Sequence, residues 1–153
     1  MCCNGVLFHS VVLQPGDSER ALSAAGLKIK RRGRAPHFLQ PCSAHRDSLC
    51  TIYDRRPVRC RLFNCRQLLC LASGEITEGM ALEKIRETRD LVHHANDLMR
   101  RAGETNPRRA LAHRFANLMT DPSPGSEAAQ LRGQLASIMR ELESLLEKNF
   151  RVP

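Results

Sequence analysis

Every cysteine of this chain lies in its first half: Cys2, Cys3, Cys42, Cys50, Cys60, Cys65 and Cys70, seven in 153 residues. Disulfide frameworks of small secreted domains pair evenly and form in oxidising compartments. Here the number is odd. Residues 5–13, GVLFHSVVL, do not resemble a secretory leader, because the apolar run is short, is broken by His9 and Ser10, and follows no basic stretch. No segment approaches the ~20 apolar residues of a membrane span. The expected setting is therefore a reducing cytoplasm with no membrane association. In such a setting a cysteine cluster reads as metal-binding or catalytic.

Thiolates are soft ligands, and a zinc or iron site needs several of them brought to one point from different segments. The local contexts suit that. Cys2 and Cys3 precede an apolar strand over residues 5–13 that ends at Gln14-Pro15-Gly16, and Cys42 follows a proline in an expected loop. Cys50 opens an expected short strand, CTIY. Cys60 and Cys65 lie on a helix expected to start at Pro57 and run to Gly74. The intervals are seven residues between Cys42 and Cys50, nine between Cys50 and Cys60, and four between Cys60 and Cys65. None is the C-x2-C of a zinc finger or ribbon. Aromatic residues make up only 4% of the chain, with one Tyr and no Trp. A bound metal should therefore contribute to folding the first half, which has little else to converge on.

Between the cysteines, Asp17 or Ser18 can cap a short helix carrying Ala21, Leu22 and Ala25 and stopped by Gly26. Residues 27–34, LKIKRRGR, alternate weakly and suggest a basic hairpin arm, and a turn is expected near Arg46 to Ser48. The second half shows helical periodicity. Thr77 caps a helix of Met80, Leu82, Ile85, Leu91, Val92, Ala95, Leu98 and Met99, and a break over 103–107 precedes a helix with Leu111, Phe115 and Leu118. A linker near 121–126, DPSPGS, leads to a last helix with Leu131, Leu135, Ile138, Leu142 and Leu145. That seam can close a bundle or meet a protein partner. The fold class is α+β, with a small irregular cysteine-cluster unit over 1–74 followed by a mainly α-helical part over 75–153 containing three helices.

The strings CCNGVLF, QPC and CTIYDRRPVRCRLFNC resemble the YkgJ-like cysteine cluster family, zinc- or iron-chelating proteins of the CxxCxxCC type. Its closing block, C-x-I-Y-x-x-R-P-x-x-C-R-x-F-x-C, is matched at Cys50, Ile52, Tyr53, Arg56, Pro57, Cys60, Arg61, Phe63 and Cys65. The resemblance covers roughly residues 2–90. It implies metal ligation by Cys2, Cys3, Cys42, Cys50, Cys60 and Cys65, to zinc, iron or an iron–sulfur cluster. It also implies that Arg56 and Arg61 brace the site. Family members carry further cysteines upstream of the double cysteine, whereas this sequence reads Met1-Cys2-Cys3. Cys70 has no counterpart in the pattern and reads equally as a buried thiol.

Two other functions compete. A similar cysteine motif accompanies flagellin lysine N-methylases, so the chain is alternatively a cluster-dependent enzyme or accessory subunit for redox or methyl transfer. Against this, no glycine-rich cofactor loop, acid–base pair or activated nucleophile is visible. The charge is also asymmetric, 12 basic to 5 acidic residues over 1–76 against 12 to 11 over 77–153. That imbalance admits a zinc-folded nucleic-acid-binding module. Without stacking aromatics near KIKRR and Arg34, nucleic acid is the disfavoured partner. His45, three residues beyond Cys42, is a weak ligand candidate, and His93 and His94 face different sides of one helix.

Overall fold

The computed structural model describes residues 1–31, 35–120 and 126–152. The chain divides into two compact units, one built from residues 1–63 and 106–113, the other from 64–105 and 114–153. The first carries the small sheets and the second is helical, an α+β chain.

In the first unit, β1 (Ser10–Val12), β2 (Ile29–Lys30) and β3 (His37–Leu39) form an antiparallel sheet in the order β1-β3-β2. β3 was not foreseen as a strand, yet it is the central one, with Phe38 facing Val11 on one side and Ile29 on the other. Only residues 10–12 of the expected 5–13 strand pair, because the ladder ends where β3 ends. The basic arm contributes Ile29–Lys30, while Arg32, Gly33 and Arg34 lie outside the described residues. α1 (Glu19–Ala24) starts where expected, with Ser18 Oγ accepting the Ala21 N–H. β4 (His45–Arg46) and β5 (Leu49–Cys50) form a hairpin. Its two turn residues, Asp47 and Ser48, both have positive φ, the condition of the type I′ turn that matches strand twist.

Beyond Cys50 the expected strand gives way to a 3-10 turn at Tyr53–Arg55. The cause is Ile52, which is buried with Leu13, Leu22, Leu27, Phe38 and Ala44 in the core of this unit. Cys42, Cys50 and Cys60 pack on the margin of that same cluster. The first residues of the chain meet segment 106–113, where the Gly5 carbonyl accepts the Leu111 N–H at 3.1 Å. Gly5 has φ +82°, and a Cβ there would stand 2.9 Å from the Ala110 Cα, so both backbone conformation and space demand glycine.

The expected continuous helix from Pro57 to Gly74 is two helices, α2 (Val58–Leu62) and α3 (Arg66–Ala72), separated by extended backbone at Phe63 and Cys65. Opposing anchors explain the interruption. Phe63 packs edge-on against Phe8 in the first unit, with ring centroids 5.0 Å apart. In the second unit Arg66 N–H donates to the Phe150 carbonyl, and the Gln67 amide donates to the Asn149 carbonyl. These contacts outweigh the weak helical preference of the Phe-Asn-Cys tripeptide.

The helical unit is dominated by α4 (Glu78–Arg101) packed along α6 (Ser126–Asn149). Thr77 Oγ1 caps α4 by accepting the Met80 N–H. Leu98, Met99, Leu135, Leu142 and Leu146 are buried, so the leucine seam of the last helix is used within the unit. Thr88, wholly buried, turns its hydroxyl back to the Lys84 carbonyl. α5 (Leu111–Thr120) begins in the first unit and continues into the second. Within the second, Arg114 pairs with Glu104 and donates to Asn96 Oδ1. Of the expected 121–126 linker, residues 121–125 lie outside the described residues. No helix among the described residues is long and apolar enough to cross a membrane.

Candidate metal centre

Four thiols that are far apart in sequence come together in the first unit, each delivered by a different local device. The Cys3 carbonyl accepts the Cys42 N–H at 2.8 Å, which ties the chain's beginning to the loop after β3. A turn from Cys42 to His45 follows. At its centre the buried Ala44 offers its carbonyl to both the N–H and the hydroxyl of Thr51, fixing the loop against the segment that leaves β5. Cys50 sits on β5 opposite His45.

Cys60 lies on α2, whose N-cap is Pro57, a residue with no capping side chain. The missing acceptor comes from Asp17. One of its carboxylate oxygens receives the Val58 N–H at 2.8 Å and the other receives the Gln14 N–H at 2.8 Å. A carboxylate at a helix N-terminus satisfies an orphan donor and opposes the helix dipole. Asp17 therefore holds α2, and Cys60 with it, against the turn after β1.

The thiols sense one another. Burial raises Cys3 above the ordinary cysteine range, and Cys50 adds to the rise. Cys42 is likewise raised by burial and by Cys3 and Cys50, while the backbone N–H groups of Ala44 and His45 pull it back by favouring its thiolate. Cys60 is pushed up to about 12, first by burial and then by Cys3, Cys42 and Cys50. The Arg56 guanidinium acts in the opposite sense on Cys3 and Cys60. Arg61, which the sequence places in the same role, does not figure among the charges acting on Cys3, Cys42 and Cys60. Burial and like charge thus favour the protonated forms of Cys3, Cys42 and Cys60, an effect that a nearby cation would oppose.

Cys3, Cys50 and Cys60 border a cavity of about 490 Å³, together with Cys2, His45, Phe8, Phe63, Gln40, Arg56 and Arg59. Arg56 lies 3.7 Å from the centroid of the Tyr53 ring and its Nε donates to the Tyr53 carbonyl. Cys65 belongs to the helical unit, as the residue preceding α3. Cys70, on α3, is raised by desolvation and by a hydrogen bond to the Glu75 carboxyl, an environment that opposes a thiolate. Among the described residues, which include all seven cysteines, no disulfide is present.

The donor set has the chemistry of a metal site. It offers four soft thiols, a backbone that favours the Cys42 thiolate, and one arginine to offset excess negative charge. As placed, no three His, Cys, Asp or Glu side chains among the described residues stand close enough together to hold an ion. Ligation therefore requires the sulfurs to turn inward. Asp17, Ala44, Gln40 and the Phe8–Phe63 contact were not foreseen as parts of the site. Asp17 reads in sequence as a cap for α1, and its long-range partner leaves no local signal. Comparison of the chain with protein-family models, with curated proteins and with solved structures finds no match.

Proposed function

We propose that this protein binds zinc, iron or an iron–sulfur cluster through cysteine thiolates, with Cys3, Cys42, Cys50 and Cys60 as the central ligands and Cys2 beside them. The observation that carries this reading is the convergence of four thiols from four separate segments: Cys42, Cys50 and Cys60 pack on one buried cluster, and Cys3 is tied to Cys42 by a backbone hydrogen bond and borders the same cavity as Cys50 and Cys60. A cation held among them would supply the charge that lets them deprotonate. The resemblance of CTIYDRRPVRCRLFNC to the YkgJ-like block supports the same reading through Cys50 and Cys60. Arg56 offsets the negative charge that several thiolates leave around a divalent ion.

Purification without oxygen, followed by elemental analysis, absorption spectroscopy and thiol titration, tests the proposal. The expected result is a near-stoichiometric metal and thiols that react only after chelation. Zinc leaves the visible spectrum blank, whereas an iron–sulfur cluster absorbs broadly. A folded, metal-free chain whose seven cysteines all titrate freely would refute it.

A further inference from the structure

The charge excess of the first half has a second seat besides the arm over 27–34. Between Ser48 and Phe63 the chain carries four arginines, Arg55, Arg56, Arg59 and Arg61, against one acidic residue, Asp54. Arg55, Arg59 and Arg61 are exposed, and their side chains make no hydrogen bond or ion pair among the described residues. Unneutralised like charges on so short a stretch repel one another, and an external polyanion relieves that repulsion.

An aromatic ring distinguishes this segment from the arm. Tyr53 is 61% exposed although the Arg56 guanidinium covers one face of its ring, 3.7 Å from the centroid. The exposure therefore belongs to the other face and the edge. Arg56 is itself held by the bond from its Nε to the Tyr53 carbonyl, so the stacked pair forms a fixed platform. Tyr53, Arg56 and Arg59 border the same cavity, whose lining contains no acidic side chain. An open aromatic face and an unpaired arginine thus stand at one rim.

The shape of the elements selects among polyanions. Duplex nucleic acid is read by an element that fills a groove, and neither α2, five residues long, nor the two-residue strands β4 and β5 provide one. A lipid surface is met by an amphipathic helix with a continuous apolar face, whereas the exposed leucines of this region, Leu49 and Leu62, lie on separate elements. A single strand asks only for a ring on which a base can stack and for arginines that meet the adjoining phosphates.

We propose that Tyr53, Arg55 and Arg59 form a binding surface for single-stranded nucleic acid, with a base stacked on the open face of the Tyr53 ring and the flanking phosphates held by Arg55 and Arg59. The inference goes beyond metal binding, and its contacts come from side chains outside the proposed ligand set.

Fluorescence anisotropy on the full chain compares labelled oligouridylate, oligothymidylate and a mixed-sequence duplex, each about 12 nucleotides long. Co-sedimentation with vesicles of phosphatidylserine and phosphatidylcholine tests the lipid alternative, and metal content is measured on the same sample. Saturable binding of a single strand is expected, weakening as salt rises and at least about fivefold tighter than that of the duplex. The tighter of the two single strands identifies the sugar. Tyr53→Ala should weaken the single strand at least about fivefold, and Tyr53→Phe should retain it within about twofold. Arg55→Gln and Arg59→Gln should each lower the salt slope by about 0.7 at an unchanged circular dichroism spectrum. No single-strand binding at low salt, a duplex or vesicles bound as tightly, or wild-type binding by Tyr53→Ala overturns the inference. Absence of metal from a chain that binds the single strand counts against the metal reading alone.

Discussion

Cys60 and Cys70 lie on successive helices, and both thiols are raised, but by different neighbours. Cys60 is pushed up to about 12 by burial and by three neighbouring thiols, a penalty that a cation removes. Cys70 is raised by desolvation and by the Glu75 carboxyl, with no second thiol among the causes. Cys60→Ser should therefore lower metal retention against a chelator by more than about tenfold, and Cys70→Ser should leave it unchanged. Equal small effects would remove Cys60 from the ligand set. The same shifts set a pH dependence for the metal-free chain. Because the Cys3, Cys42 and Cys60 thiols are raised in the folded state above the ordinary cysteine value of 9.0, folding favours their protonated forms. Their contribution is complete below pH ~9, the unfolded value, and is lost as pH rises toward about 12, where the folded Cys60 ionises. Urea midpoints of chelated protein should fall between those limits and stay level across pH 7 to 8. A flat profile up to pH ~11 would show that the thiols are not buried together.

Helices whose beginnings are written locally were the readable ones. Ser18 and Thr77 sit directly before apolar-periodic stretches and cap α1 and α4 as those stretches require. The spacing of Leu131, Leu135 and Leu142 gives α6 its buried face in the same way. α2 and α3 were not readable as separate elements, because what divides them is remote: the Phe8 ring for Phe63, and the carbonyls of Asn149 and Phe150 for the start of α3. The N-terminus of α2 depends in turn on Asp17, forty-one positions earlier. Asp17→Ala leaves two buried or half-buried N–H groups without an acceptor and should destabilise the first unit by about 2 kcal/mol. It should also speed metal loss, although Asp17 is no ligand. Chelator kinetics beside a urea melt would check this, and a wild-type rate of metal loss would separate α2 placement from the site. In the other unit, Leu135→Ala removes a wholly buried side chain and should cost about 3 kcal/mol of helical stability in a thermal melt followed by circular dichroism.

At the scale of the whole molecule, periodicity made the helices of the second half legible, whereas the cysteine block grouped residues 1–74 and the compact units are 1–63 with 106–113 and 64–105 with 114–153. The return of residues 106–113 to the first unit had no sequence signature, since a glycine near one end and an alanine far along the chain announce nothing about each other. Gly5→Ala tests that junction. The added methyl would meet Ala110, at a φ that side chains seldom adopt, and should cost about 2 kcal/mol or more in a chemical denaturation curve. Far-ultraviolet circular dichroism should show the long helices retained. Full wild-type stability would mean that the junction does not matter. The closure has a temporal side as well. A ribosome delivers Cys3, Cys42, Cys50 and Cys60 early, but the Leu111 N–H that Gly5 awaits emerges only after α4 has been made. Until then the segment around Gly5 lacks that partner, so on the proposed reading a metal captured co-translationally would stay exchangeable and become locked in late.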